Sequence, residues 1–186
     1  MLTLHPYDYN SLNLYHLSPV NHDGELFYPR VPDSRMRSED AVTPRVCFGP
    51  SLLEAYYAVE TLRSHNQMDL MFVHVPDNID ELKAFNAIVA PDDDDVPDVS
   101  NTGELWSLDP VEMKCIGLVL FYTRYERVYP NGECGWYDEK NVTRVYDIMD
   151  DISILHRHSV FMDELSPGEI MMLKDIINTY EPIYKS

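Results

Sequence analysis

Apolar and polar positions alternate in short runs along most of the chain, and two stretches carry a helical repeat instead. Residues 12–17 (LNLYHL) alternate, include aromatic side chains and close at Ser18-Pro19, which predicts a strand with His16 near its C-terminal end. Residues 20–44 keep no period, and Pro29, Pro32 and Pro44 bar regular helix, so this is read as a long loop. Residues 45–48 (RVCF) form a second strand, ended by Gly49-Pro50. Ser51-Leu-Leu-Glu54 then has the form of a capping box. Leu52, Ala55, Tyr56, Val59 and Leu62 recur at helical spacing, so one apolar face runs to about His65. Strands follow over residues 69–75, 84–90, 103–108 and 111–125, the last long enough to bend at Gly117. A turn at Pro130-Asn131-Gly132 leads into a final strand over residues 136–147. Ser166 as cap, Pro167 at the first position and Glu169 start a terminal helix on Ile170, Leu173, Ile176 and Ile177.

Short strands with one helix between the second and third predict an α+β fold with a largely antiparallel sheet. At 186 residues the chain suggests one domain, divided here into a core over 1–125 and a strand plus helical extension over 126–186. No apolar run approaches the roughly 18 residues of a membrane span, and the N-terminus lacks an export pattern, so a cytoplasmic protein is expected. Cys47, Cys115 and Cys134 show no ligand spacing, which argues for reduced thiols and no structural zinc; His156 and His158 lack an evident third ligand.

The net charge of −18 makes nucleic acid and anionic membrane poor partners and favours neutral, cationic or small ones. It is uneven: residues 1–50 carry four basic and six acidic side chains, against ten and twenty-six in the rest. Arg30, Arg35, Arg37 and Arg45 cluster, either as an anion site or as a solvated loop paired with Asp33, Glu39 and Asp40. The run Asp92 to Asp95 reads as a surface loop rather than a calcium site.

Three features fall near strand ends: LYHLS with His16, RVCFGPSLLEAYYAV with Cys47, Phe48, Ser51 and Tyr56, and TGELWSL with Glu104. In this order, over residues 12–108, they resemble the ADP-ribosyltransferase superfamily, in the branch whose site is histidine, tyrosine and glutamate on three strands. LYHLSP, PRVP and PRVCF also look like segments of small bacterial and phage proteins without an assigned activity. The resemblance implies a split antiparallel sheet and NAD as substrate, with a protein or small molecule as acceptor, in a setting such as phage–host or toxin conflict. By the same resemblance, His16 would bond the nicotinamide-side ribose, rings at Phe48 and Tyr56 would flank nicotinamide, and Glu104 would stabilise the ribosyl cation. Cys47 stands where the family pattern has tyrosine, so the stacking ring would come from Phe48, Tyr56 or Tyr57.

The chemistry of such a site can be stated directly. Breaking the nicotinamide–ribose bond creates an oxocarbenium-like centre that a nearby carboxylate stabilises, the role expected of Glu104. A neutral histidine donating to a ribose hydroxyl, His16, would fix the sugar. Arginines, Arg30 and Arg45 first, would meet the pyrophosphate. A different class of function is also open: an acidic inhibitor that mimics nucleic acid and occupies a basic protein surface. Asp92 to Asp95, Asp98, Asp138, Glu139, Asp147, Asp150 and Asp151 would present the charge. Dinucleotide, phosphate-loop, zincin and hydrolase motifs are missing.

Overall fold

In the computed structural model, residues 13–33, 39–59, 68–85, 87–97, 99–124, 142–147 and 165–179 are described. The fold is α+β, with two antiparallel sheets and few helices. The larger sheet has the order β1 (His16–Ser18), β4 (Met68–Pro76), β7 (Val111–Arg124), β2 (Leu26–Phe27), and β8 (Val142–Asp147) pairs with β7 beyond that path. The smaller has the order β3 (Val46–Phe48), β6 (Leu105–Ser107), β5 (Ile88–Val89). Four helices among the described residues complete it: α1 (Leu52–Ala58), α2 (Ile79–Ala84), α3 (Val99–Thr102) and α4 (Pro167–Thr179). Among the described residues no helix is long and apolar enough to cross a membrane.

β4 is central, and its Leu70 to Val73 are all buried, which is why this run reads as continuously apolar rather than alternating. Its ladder with β7 slips by one residue. Val73 faces Gly117 and His74 faces Cys115, so Ile116 is the extra residue of a bulge beside the glycine at which a bend was expected. Leu17, Val73, Val119 and Phe121 of the large sheet pack with Ala55 and Tyr56 of α1. Phe48, Ile88, Leu105 and Val46 of the small sheet form a second cluster with Leu14 and Met113.

Both expected caps form. Ser51 Oγ accepts from the Glu54 N–H at 3.2 Å and donates to Glu54 Oε2 at 2.6 Å, while Ser166 and Glu169 exchange backbone and side-chain bonds. α1 stops at Ala58, with Val59 already outside helical backbone, rather than continuing to about residue 65; residues 60–67 lie outside the described set. The strand expected over 84–90 shortens to Ile88–Val89, since Ala84 closes a helix over Ile79–Ala84 and Phe85 lies in the turn after it. The long loop of 20–44 contains β2, which is held to the start of β7. The strand expected from Gly103 begins at Leu105, with α3 before it. The turn at Pro130, residues 136–141, Cys134 and the His156/His158 pair lie outside the described residues.

Candidate functional site

The two sheets meet where Tyr15 and Gly49 exchange a pair of backbone hydrogen bonds, both 2.9 Å. A β-carbon on Gly49 would stand 2.3 Å from the Ala55 nitrogen, so only glycine lets the first turn of α1 lie this close to the end of β3. Against this seam opens a cleft of about 480 Å³. β1 contributes His16 and Ser18 to its wall, the β2 region Phe27, Tyr28 and Arg30, β3 Cys47 and Phe48, α1 Tyr57, and the loop after α3 Glu104.

His16, Phe48, Cys47, Glu104, Arg30 and Arg45 thus share one cleft. Ser51 and Tyr56 do not line it. The Ser51 side chain is spent on the helix cap. Tyr56 turns into the core, where its ring stacks on Phe121 at 4.0 Å and its hydroxyl donates to Asp69 Oδ2 at 2.5 Å. Tyr57, one residue on and 37% exposed, reaches the cleft instead.

The His16 ring lies edge-on to Phe27 and Phe48, and its Nδ1–H donates to the Cys47 carbonyl at 3.2 Å. Burial lowers its pKa from 6.5 to about 4; the Cys47 bond opposes this, and His22 and Arg30 add to it. The ring is therefore neutral near pH 7, with its proton on Nδ1. That reverses the expected polarity: Nε2 offers a lone pair, so His16 would accept from a ribose hydroxyl rather than donate to it.

Opposite His16 in the ladder, His74 is completely buried, and its Nε2 accepts from the His22 N–H at 2.9 Å. Burial likewise lowers its pKa from 6.5 to about 4. Both folded values lie below the unfolded one, so both contributions to stability are present above pH 6.5 and are lost as pH falls from 6.5 towards 4. The expected loss is on the order of 3 kcal/mol for each ring by pH 4. Burial raises the Glu104 pKa, so protonation of that group offsets part of it. Urea midpoints at pH 7.5, 5.5 and 4.5 check the effect; a constant midpoint would mean that neither ring is held neutral by burial.

Glu104 is 8% exposed and precedes β6. Burial raises its pKa; hydrogen bonds from the Cys47 thiol and the Trp106 indole, whose Nε1–H lies 2.6 Å from Oε1, counter this. Burial, and then the charge of Glu104, push the Cys47 thiol well above its ordinary pKa, so it stays protonated and is a donor rather than a nucleophile.

The arginines divide. The Arg45 side chain is 0% exposed and lies 4.1 Å over the Trp106 ring. It is paired with Glu39 and Asp40 and donates to the Asp40 and Thr43 carbonyls at 3.2 and 3.1 Å. It organises the wall of the cleft and has little left for a pyrophosphate. Arg30 is 77% exposed and pairs loosely with Asp33 at 3.5 Å, so it can meet an anion at the rim. Arg35 and Arg37 lie outside the described residues. In the aspartate run, Asp92 Oδ1 caps its own turn through the Asp94 and Asp95 N–H groups, and Asp93 and Asp94 are exposed. Asp98, Asp138, Glu139, Asp150 and Asp151 lie outside the described residues, as does the side chain of Asp147.

Ser18, His22, Phe27 and Tyr28 also line the cleft and were not anticipated. For Ser18 the signal was available: it lies two residues beyond His16, the spacing that puts side chains on one face of a strand. His22, Phe27 and Tyr28 come from the stretch without a period. No known protein family, characterised protein or solved structure matches the chain.

Proposed function

We propose that the cleft binds NAD and that the chain is an ADP-ribosyltransferase, or an NAD-binding relative, with an ADP-ribosyltransferase-like split sheet. The observation that carries this reading is the convergence of His16, Phe48 and Glu104, from three separate parts of the chain, on one cleft of about 480 Å³. That volume is within the range of small-molecule sites, roughly 300–1,000 Å³. The neutral His16 ring accepts from a ribose hydroxyl and fixes the sugar. Phe48, with Tyr57 in place of Tyr56, supplies apolar ring surface for nicotinamide. As the C–N glycosidic bond breaks, nicotinamide leaves with the bonding pair and the positive charge develops on the ribose, where the Glu104 carboxylate stabilises it. The acceptor, a protein side chain or a small molecule, then bonds the ribose carbon and gives up its proton. The Trp106 indole holds the carboxylate in one orientation, and with the Cys47 thiol it favours the charged form. Arg30 at the rim faces the pyrophosphate, and Arg45 supports the wall from within.

NAD at millimolar concentration is expected to raise the melting temperature and to release nicotinamide detectable by chromatography. Glu104→Gln should cut that release about 100-fold. His16→Ala should weaken the NAD-induced shift, with the circular dichroism spectrum unchanged in both variants. Wild-type protein that neither shifts nor releases nicotinamide would overturn the reading. A salt-sensitive complex with a basic protein, weakened by neutralising Asp93 and Asp94, would then favour the acidic-inhibitor function.

A further inference from the structure

The turn that follows β1 carries a second chemical arrangement in the same cleft. Ser18 Oγ lies 3.1 Å from His22 Nε2, and His22 Nδ1 lies 2.9 Å from Glu25 Oε2. With the Nδ1–H donating to the carboxylate, Nε2 is left to accept the Ser18 hydroxyl proton, which is the order of nucleophile, base and orienting acid in a catalytic triad. Ser18 is 7% exposed, and both it and His22 line the cleft. The Val20 N–H donates to Ser18 Oγ at 3.0 Å, which fixes the hydroxyl's position beside the imidazole. A serine turn needs only that last bond. It does not call for an imidazole on the hydroxyl or a carboxylate behind the imidazole.

The arrangement is held from several sides. The His22 backbone N–H donates to the buried His74 ring, and the His22 ring packs edge-on against Phe27 at 5.0 Å between centroids. Gly24 takes φ 74°, a left-handed turn that brings Glu25 back under His22, and the Glu25 N–H bonds the His22 carbonyl at 3.0 Å. Gly24 and Glu25 are tied to Met113 of β7 at 2.8 and 2.9 Å, and Asp23 Oδ1 accepts from the Cys115 N–H at 2.9 Å. Five hydrogen bonds over a turn of this length preorganise the His22 and Glu25 side chains relative to Ser18.

The geometry points to Ser18 as an activated nucleophile towards a small carboxylic ester with an apolar acyl group. This activity goes beyond NAD turnover and does not depend on it. Ser18 Oγ attacks the ester carbonyl carbon while its proton passes to His22 Nε2. The bond to the leaving alcohol then breaks, and that proton goes to the departing oxygen. Water, deprotonated by the same imidazole, cleaves the acyl–serine and regenerates the hydroxyl. Phe27, Tyr28 and Phe48 provide the apolar wall for the acyl group.

The test is labelling of the full chain with an alkyl fluorophosphonate, read by intact mass and peptide mapping, alongside p-nitrophenyl butyrate hydrolysis. Wild-type protein should gain one adduct on Ser18, and Ser18→Ala should gain none. His22→Ala should slow labelling about 100-fold or more. Glu25 acts as a positioning residue: Glu25→Gln should slow labelling about tenfold and Glu25→Asp should recover part of the rate, with melting temperature unchanged. An unlabelled wild type, a label on another residue, or a labelling rate indifferent to His22→Ala in folded protein would each overturn the proposal.

Discussion

Arg45→Ala is expected to destabilise the fold by about 3–5 kcal/mol, the usual result of removing one partner from a buried ion pair. The Arg45 side chain has no solvent exposure, and those of Glu39 and Asp40 are each only 12% exposed. Burial by itself would raise the Asp40 pKa, but the Thr43 and Val42 N–H groups, the Thr43 hydroxyl and Arg45 together hold it below its usual value. Without the guanidinium, two carboxylates lose their cation in a place that water barely reaches, and the Asp40 and Thr43 carbonyls lose a donor. Arg45→Lys should fall between, because an ammonium keeps the charge but cannot reproduce the fork or lie flat on the Trp106 ring. Urea unfolding at pH 7 measures both. A loss below about 1 kcal/mol would place the pair among surface ion pairs and would return the guanidinium to the list of groups able to meet a phosphate.

Trp106→Ala should cost a similar amount, about 3–5 kcal/mol, since the side chain is 0% exposed and packs with Val89 and Val96. Three losses combine: the cavity, the ring beneath Arg45, and the indole N–H on Glu104. Trp106→Phe separates them. It keeps most of the packing, so stability should fall by about 1–2 kcal/mol, while the Glu104 carboxylate loses a donor and, on the proposed reaction, nicotinamide release should fall. The double variant Arg45→Ala/Trp106→Ala should be less destabilised than the two single losses added together, because they remove one shared contact. Strict additivity in urea midpoints would show that the stacked pair has no energetic meaning.

What could be read from the chain follows the length of each pattern. β4 and β7 and both helix caps were legible because each rests on several residues that agree on one period or one cap. α2, α3 and β2 span six, four and two residues, too few for a period to register, and β2 exists through its pairing with β7. Tyr56 illustrates two signals in conflict. Its helical spacing with Leu52, Ala55 and Val59 put it on the apolar face, whereas the family template asked it to face a ligand; packing on Phe121 follows the spacing. Arg45 was read either as an anion binder or as a partner of nearby carboxylates; its pairs with Glu39 and Asp40 follow the second reading, while its stacking on Trp106 had no local signal across 61 positions of chain. The Ser18, His22 and Glu25 side chains sit within eight consecutive residues, yet they read as loop until the turn is seen tied to β7.

The seam between the sheets has a mechanical consequence. β1 and β3 belong to different sheets, and the Tyr15–Gly49 pair and the His16–Cys47 bond are rivets between two separate plates. The Arg30–Arg45 backbone pair is a further link, and Met113 of one plate packs with Phe48 and Leu105 of the other, so tilting them would strain shared apolar packing as well as these polar links. Among these fasteners the imidazole's is the one made by a side chain, so the state of a single ring proton bears on how firmly the two plates are joined.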